Sequence, residues 1–357
     1  MIVDADSHYL DPDVFKYVNQ GNKHKVPRFV FDQENRLIEV EFDIDPIPLS
    51  LNPLPPHYHN EHAGISDLDS RIDDFKRLSI DFQILNPQEL AMRFSYLVEK
   101  DLAIDIAQSY NRRLLEICNE YPNKFAGPGL LALQNIDWSL NEIDWCKKVG
   151  INSVIVDNCW PDINYVTGYP LVSAPRFEEI CAACEKNDML LSIHHAMHQL
   201  TYKAIPQFKD YDLQYYYPKH HLISLVGLVT ANILDKYPNL KVLISEGGMN
   251  FIQGAYRLLK IHNPNRDIDR YFQKNFYFTI ETEQTEQLLS VIKKFGADRF
   301  LFATDYPHND GGGANKFRDY LDFKNLPISE YDFNLIGFEN AVNLFKLDKG
   351  KIKPASL

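Results

Sequence analysis

Short runs of apolar, β-branched and aromatic residues recur along the chain. They are separated by longer stretches in which apolar residues return every three or four positions. The runs are "IVDADSHY", "DFQILNP", "FAGPGLLAL", "NSVIVD", "LLSIHH", "KVLISEGG", "FYFTIET" and "FLFATDYP", and their length and residue types predict eight strands. Helical spacing predicts helices over Leu97–Glu120, Trp138–Lys148, Pro175–Asn187, Leu222–Tyr237 and Glu283–Phe295. In "YPNKF" and "YPNLK" a proline stops a helix shortly before the next strand. Eight strands taking turns with helices over 357 residues predict a (β/α)8 TIM barrel, a single domain spanning 1–357. A doubly wound open sheet is the alternative, but no G-x-G-x-x-G follows the first run.

One region breaks the alternation. From about 11 to 65 the chain carries "FVFDQENRLIEVEFD", which reads as a hairpin around "QEN". The proline- and histidine-rich "DPIPLSLNPLPPHYHNEHAG" follows it. We read this region as an insertion after strand one, standing over the barrel mouth where it can shape a pocket.

The first run holds Asp4, Asp6 and His8 at every second position, so on a strand they share a face. Such a row must be paired, hydrated or metallated. Other polar groups of the same kind fall at the ends of later strands: His194 and His195 on strand five, Glu246 on six, Asp305 and His308 on eight. In a parallel barrel all these ends open onto one face, where active sites gather. Imidazole nitrogens with carboxylate oxygens suit zinc, manganese or iron(II), and a bound ion would lower the pKa of water and polarise a substrate oxygen. Taken singly, each group has a plainer reading: a hydrogen-bonded pair for Asp6 and His8, core histidines for "IHHAMH", a turn cap for Asp305.

Composition sets limits without naming a reaction. The chain is 45% hydrophobic and 24% charged, ordinary for a globular protein, and its net charge of −12 argues against nucleic acid or an anionic membrane as partner. "MIVDADSHYL" lacks a basic start followed by an apolar core, and no apolar stretch is long enough to span a bilayer. Five irregularly spaced cysteines suit a reducing compartment, so a cytoplasmic protein is expected. Cys181 and Cys184 form a C-x-x-C inside a helical stretch and read as packing. His57, His59 and His62 read as solvated loop histidines, and the glycines of "NDGGGAN" as a loop more than a phosphate cradle. Tyr9, Trp160, Tyr306, His308 and Tyr215 to Tyr217 are candidates to line a pocket for a small-molecule substrate. His195 and His198 are candidates to support the centre from behind.

The chain resembles the metal-dependent amidohydrolase superfamily, and within it the amidohydrolase-2 family related to aminocarboxymuconate semialdehyde decarboxylase. The resemblance rests on "VDADSHYLDP", "RIDDFKRLSIDFQILNP", "YPNKFAGPGLLALQNIDWSLNEIDWCKKVGINSVIVD", "YPLVSAPRFEEICAACEKNDMLLSIHH", "ILDKYPNLKVLISEGGMNFI" and "FLFATDYPHND". It implies a barrel, a divalent ion (zinc first, then manganese or iron) and a homodimer. It implies Asp6, His8, His194 and Asp305 as ligands, with His194 before His195 for strand five. Two departures matter. The opening is Asp6-x-His8, where many members have His-x-His. Strand six ends in "SEGG", placing Glu246 where the decarboxylases use a histidine. A carboxylate there suits a general base on water or a second ion. The expected activity is therefore hydrolysis of an amide, ester or related bond in a small organic molecule, with Glu246, Asp305 and His195 catalytic. The alternatives are non-oxidative decarboxylation of an aromatic or unsaturated acid, and a catalytically idle barrel that only binds.

Overall fold

The computed structural model describes residues 1–33, 37–41, 63–87, 95, 98–160, 169–195, 213–247, 249–280, 285–307 and 323–354. All eight expected strands form. They are Val3–Tyr9, Phe82–Pro87, the pieces Phe125–Ala126 and Gly129–Leu130, Ser153–Asp157, Leu190–His194, Lys241–Ile244, Phe276–Ile280 and Phe300–Phe302. Each pairs in parallel with the next. Strand three is in two pieces because Pro128 has no N–H to donate to a ladder. A side chain at Gly127 would also collide with the Leu85 carbonyl. The pieces serve different neighbours, the first strand two and the second strand four.

The ring closes between strands eight and one through a parallel bridge of Ser7 with Tyr306. His8 N–H donates to the Tyr306 carbonyl at 2.6 Å, and Asp305 N–H to the Asp6 carbonyl at 3.0 Å. The sheet therefore has no free edge here, and the barrel reading stands against the open sheet.

Strands covered on both faces need apolar residues almost throughout, which is why the runs lack a clean alternation. One cluster joins Val3, Ala5, Phe82, Ile84, Leu190, Leu243 and Leu301 to Phe338, Val342 and Phe345 near the C-terminus. The helices around the ring match the expected spacing, but their ends are set by caps. Lys100–Glu120 starts three residues later than its periodicity suggests, because Glu99 caps it by accepting from Asp101 N and Leu102 N. Ile136–Val149 starts two residues earlier than expected, with Asn135 accepting from Trp138 N. The helix expected over Leu222–Tyr237 is two, Leu213–Thr230 and Ile233–Lys236, divided at Asn232, whose φ is +62°. The hairpin of the insertion is present as Arg28–Phe31 antiparallel to Leu37–Glu41. Residues 42–62, with the three loop histidines, lie outside the described residues, as do His198, the glycines of 309–315 and His308. Among the described residues no helix is long and apolar enough to cross a membrane.

Asp188 ties three segments together on the outside of the barrel. Its carboxylate accepts from Lys241 at 2.8 Å and Lys346 at 2.5 Å, and Lys346 also donates to its carbonyl at 2.6 Å. Those hydrogen bonds hold the carboxyl down at about 2, against an ordinary value of 3.8. A depressed folded pKa means the contribution is full above the unfolded value and fades as pH falls through the folded one. Asp188→Asn should therefore lower the urea midpoint at pH 6, and the gap to the parent should shrink steadily between pH 4 and pH 2. A pH-independent gap would place the effect elsewhere. The clamp is largely exposed, so the shift should be small.

Candidate metal centre

Each chemical group sits where a strand ends. Asp6 and His8 come from strand one, and His194 is the last residue of strand five. Glu246 stands two residues past strand six, and Asp305 three past strand eight. All are buried or nearly so, and their donor atoms meet. Asp6 Oδ1 is 3.7 Å from both His8 Nε2 and His194 Nε2. His8 Nε2 is 3.2 Å from Asp305 Oδ1 and 3.7 Å from Glu246 Oε1, and Glu246 Oε2 is 3.4 Å from His194 Nε2. Asp6, His8 and His194 form one group able to hold a metal ion, and His8, Glu246 and Asp305 another.

Backbone geometry explains why the two late carboxylates turn inward. Glu246 and Asp305 have φ of +58° and +53°, the left-handed region that costs a residue with a Cβ roughly 1–2 kcal/mol. Each is held there: Glu246 N–H donates to Thr279 Oγ1 at 3.1 Å, and Asp305 N–H to the Asp6 carbonyl. The imidazoles are oriented from behind. His8 Nδ1 lies 3.2 Å from the Pro87 carbonyl and His194 Nδ1 2.9 Å from the His195 carbonyl. A carbonyl only accepts, so both protons belong on Nδ1, and each Nε2 presents a lone pair to the centre.

Asn86, at the end of strand two, donates to Asp6 Oδ1 and fixes that carboxylate. Asp6 Oδ2 is buried without a hydrogen-bond partner among the described residues. A buried carboxylate oxygen with nothing to bond is costly unless a cation takes it. Two imidazole lone pairs, each 3.2–3.7 Å from the carboxylate oxygens that face it, suit a divalent ion in charge, chemistry and spacing.

Asp4, the third member of the strand-one row, is used differently. Its oxygens accept from Gln83 Nε2 at 2.7 Å, Thr304 N at 2.9 Å and Thr304 Oγ1 at 2.6 Å. Burial pushes its carboxyl up to about 7, against the pull of the Thr304 hydrogen bonds and the Arg71 charge. The strand shifts register against strand two between Asp4 and Ser7. Below the centre, the fully buried Arg71 donates to the His8 carbonyl at 2.7 Å, the Gly64 carbonyl at 3.0 Å and Gln83 Oε1 at 2.8 Å.

A family model described as amidohydrolase, of the amidohydrolase-2 type, matches residues 3–347. The chain belongs to the amidohydrolase-2 family. Among its relatives is the gamma-resorcylate decarboxylase of Rhodococcus jostii (strain RHA1), 26% identical over 326 residues that cover 85% of this chain and 96% of that protein. The 2,6-dihydroxybenzoate decarboxylase from Rhizobium superposes with a TM-score of 0.70 at 21% identity, over 97% of this chain and 99% of that one. A dihydroxybenzoic acid decarboxylase from Polaromonas sp. JS666, solved with bound manganese and the inhibitor 2-nitroresorcinol, superposes with a TM-score of 0.68 at 21% identity, over 98% of both chains. This amidohydrolase-2 chain thus has decarboxylases, not hydrolases, as these relatives, which moves the expected activity to the alternative.

The remaining expected residues fall out unevenly. His195 is buried, with its Nδ1 3.1 Å from Asn158 Oδ1, and belongs to neither group of donors. Tyr9 joins the wall, its hydroxyl donating to the Ser66 carbonyl at 3.2 Å and its ring lying 5.8 Å from the Arg71 guanidinium. Tyr306 likewise donates to Asp74 Oδ2 at 2.7 Å. Trp160 is described only in its backbone, in a short antiparallel pairing with Tyr169. Cys181 and Cys184 are free and buried, and burial pushes the Cys184 thiol up to about 12, so both act as packing. Asn86, Asn158, Gln83, Thr304 and Arg71 were missed as supports. Asn86 and Asn158 could have been found by the rule that found the ligands, as polar residues ending an apolar run. Nothing distinguishes Arg71 in "SRIDDFKRL" from the exposed Arg77 beside it.

Proposed function

We propose that this protein is a metal-dependent, non-oxidative decarboxylase of an aromatic or unsaturated carboxylic acid. The observation that carries the proposal is the pair of donor groups, Asp6–His8–His194 and His8–Glu246–Asp305, that meet at His8 in a chain that matches a decarboxylase along 85% of its length. Asp6, His8, His194 and Asp305 would hold the ion, which supplies an electrophile to grip and orient the substrate carboxylate. The bond between the carbon skeleton and the carboxyl group breaks, carbon dioxide leaves, and the electron pair stays on carbon until a proton joins it. Asp305 is assigned to relay that proton, taken from solvent at a carboxylate oxygen and passed to the carbon, on the side of the centre where strand eight meets strand one. His195, steadied by Asn158, closes the wall behind His194.

Manganese is preferred to zinc. Three carboxylates among the available donors suit a hard ion with more than four ligands, and the Polaromonas relative holds manganese. Hydrolysis keeps one argument, the carboxylate of Glu246 at the strand-six position. The test is direct. Manganese-loaded protein is offered hydroxybenzoates and unsaturated carboxylic acids, alongside simple amides and esters, while carbon dioxide is followed. Release from an aromatic or unsaturated acid is expected; cleavage of an amide or ester with no carbon dioxide from any acid would sink the proposal.

A further inference from the structure

The strand-six carboxylate of Glu246 faces the same two imidazole nitrogens as Asp6 does. We infer that Glu246 is itself a ligand of the ion, making the centre one of five protein donors. The inference rests on the metal centre proposed above but not on the reaction. Glu246 is as close to both imidazoles as Asp6 is: 3.7 and 3.4 Å to His8 and His194 Nε2, against 3.7 and 3.7 Å. Donors about 2.1 Å from a shared ion lie about 3.0 Å apart at right angles and about 3.4 Å apart at tetrahedral angles. Glu246 Oε2 stands at the top of that range from His194, and Oε1 stands at the same 3.7 Å from His8 as Asp6 Oδ1 does, so the two carboxylates are placed alike about the imidazoles. A base acting through a bound water would stand a water's width further out.

Two features keep the carboxylate in place. The backbone at Glu246 is held left-handed by Thr279 Oγ1, and the next residue must be glycine, because a Cβ on Gly247 would strike the Phe251 ring. The two donor groups around the centre also share one atom. Asp6–His8–His194 and His8–Glu246–Asp305 both need His8, whose Nδ1 is turned to the Pro87 carbonyl, so only Nε2 remains. One nitrogen lone pair serves one ion. A shared His8 Nε2 argues against a separate ion for each group, and for one cation between them in place of the second ion that a strand-six carboxylate could hold. Three carboxylates, two neutral imidazoles and a dication sum to a net charge of −1. An octahedral ion then keeps one position for substrate, a count that suits manganese or iron(II) and not four-coordinate zinc.

The metal-free protein is titrated with manganese, following binding by calorimetry and the loss of the free-ion paramagnetic resonance signal. A cobalt(II) form supplies the absorption spectrum. Glu246→Gln and the shorter Glu246→Asp are compared with Asp6→Asn, each checked for folding by circular dichroism. The parent should bind one ion per chain. All three variants should bind manganese about 10–100-fold more weakly, and the Glu246 variants should alter the visible cobalt bands, as loss of a ligand does. If both Glu246 variants keep parental affinity and cobalt spectrum while Asp6→Asn does not, Glu246 is no ligand and the inference fails alone. Two ions per chain would also overturn it. A parent that binds no ion would instead bring down the metal centre itself.

Discussion

Asp305→Asn should lower carbon dioxide release by about three orders of magnitude, with manganese at saturating concentration and the fold intact. The substitution is chosen to change charge and nothing else. Asparagine has the same shape, and it tolerates the left-handed backbone that Asp305 occupies at φ +53°. Its N–H still donates to the Asp6 carbonyl, so the contact closing the barrel survives. Two losses add together. Asp305 Oδ1 is 3.2 Å from His8 Nε2, the shortest separation in the cluster, so a neutral amide there weakens the hold on the ion. An amide also cannot carry the proton that the carbanionic carbon requires. Raising manganese repairs the first loss and leaves the second. Rate measured against metal concentration separates them: a variant restored to within tenfold of the parent by added manganese would remove Asp305 from the proton's path.

Much of this centre was legible before any coordinates. Barrel strands are buried on both faces, so they appear as nearly unbroken apolar runs, and a charged residue ending such a run has few structural excuses. That contrast exposed Asp6, His8, His194, Glu246 and Asp305 as a set. It left open how each member of the strand-one row is satisfied: Asp4 obeys the same period as Asp6 but is paired with Gln83 and Thr304 of the neighbouring strand segments. Periodicity cannot report what lies opposite. Helix ends were misplaced for a related reason: Glu99 and Asn135 act through one or two hydrogen bonds, whereas periodicity sums over many residues.

The activity was harder to read. A histidine and a carboxylate at strand six differ by a proton's chemistry, and a motif does not say whether the carboxylate faces water or the ion. A carboxylate at strand six suits a base or a metal ligand alike, and the Glu246 oxygens stand 3.4–3.7 Å from the two imidazole nitrogens. What holds the aromatic candidates in place is likewise invisible to a motif: the hydroxyls of the buried Tyr9 and Tyr306 donate to the Ser66 carbonyl and Asp74.

The largest stability effect should come from below the centre. Arg71→Met is expected to cost about 3–5 kcal/mol of unfolding free energy, because it strands acceptors that cannot reach water. Arg71 is fully buried, and burial lowers its pKa to about 10, still well above neutral, so it remains charged in the core. Its guanidinium lies 4.7 Å from the Tyr306 ring centre and 5.5 Å from that of Phe75, which replaces part of its lost hydration. Methionine fills similar volume but leaves the His8 carbonyl, the Gly64 carbonyl and Gln83 Oε1 without their donor. Arg71→Lys should recover only part of the loss, since one ammonium cannot span three acceptors in the plane of a guanidinium. Because one of those acceptors is the backbone of a proposed ligand, the Met variant should also bind manganese more weakly in the folded protein. Urea denaturation of the metal-free chain, paired with a manganese titration of the same variant, reads the two effects apart. A stability loss below about 1 kcal/mol, with manganese affinity unchanged, would mean that strand one holds His8 in place without help from Arg71.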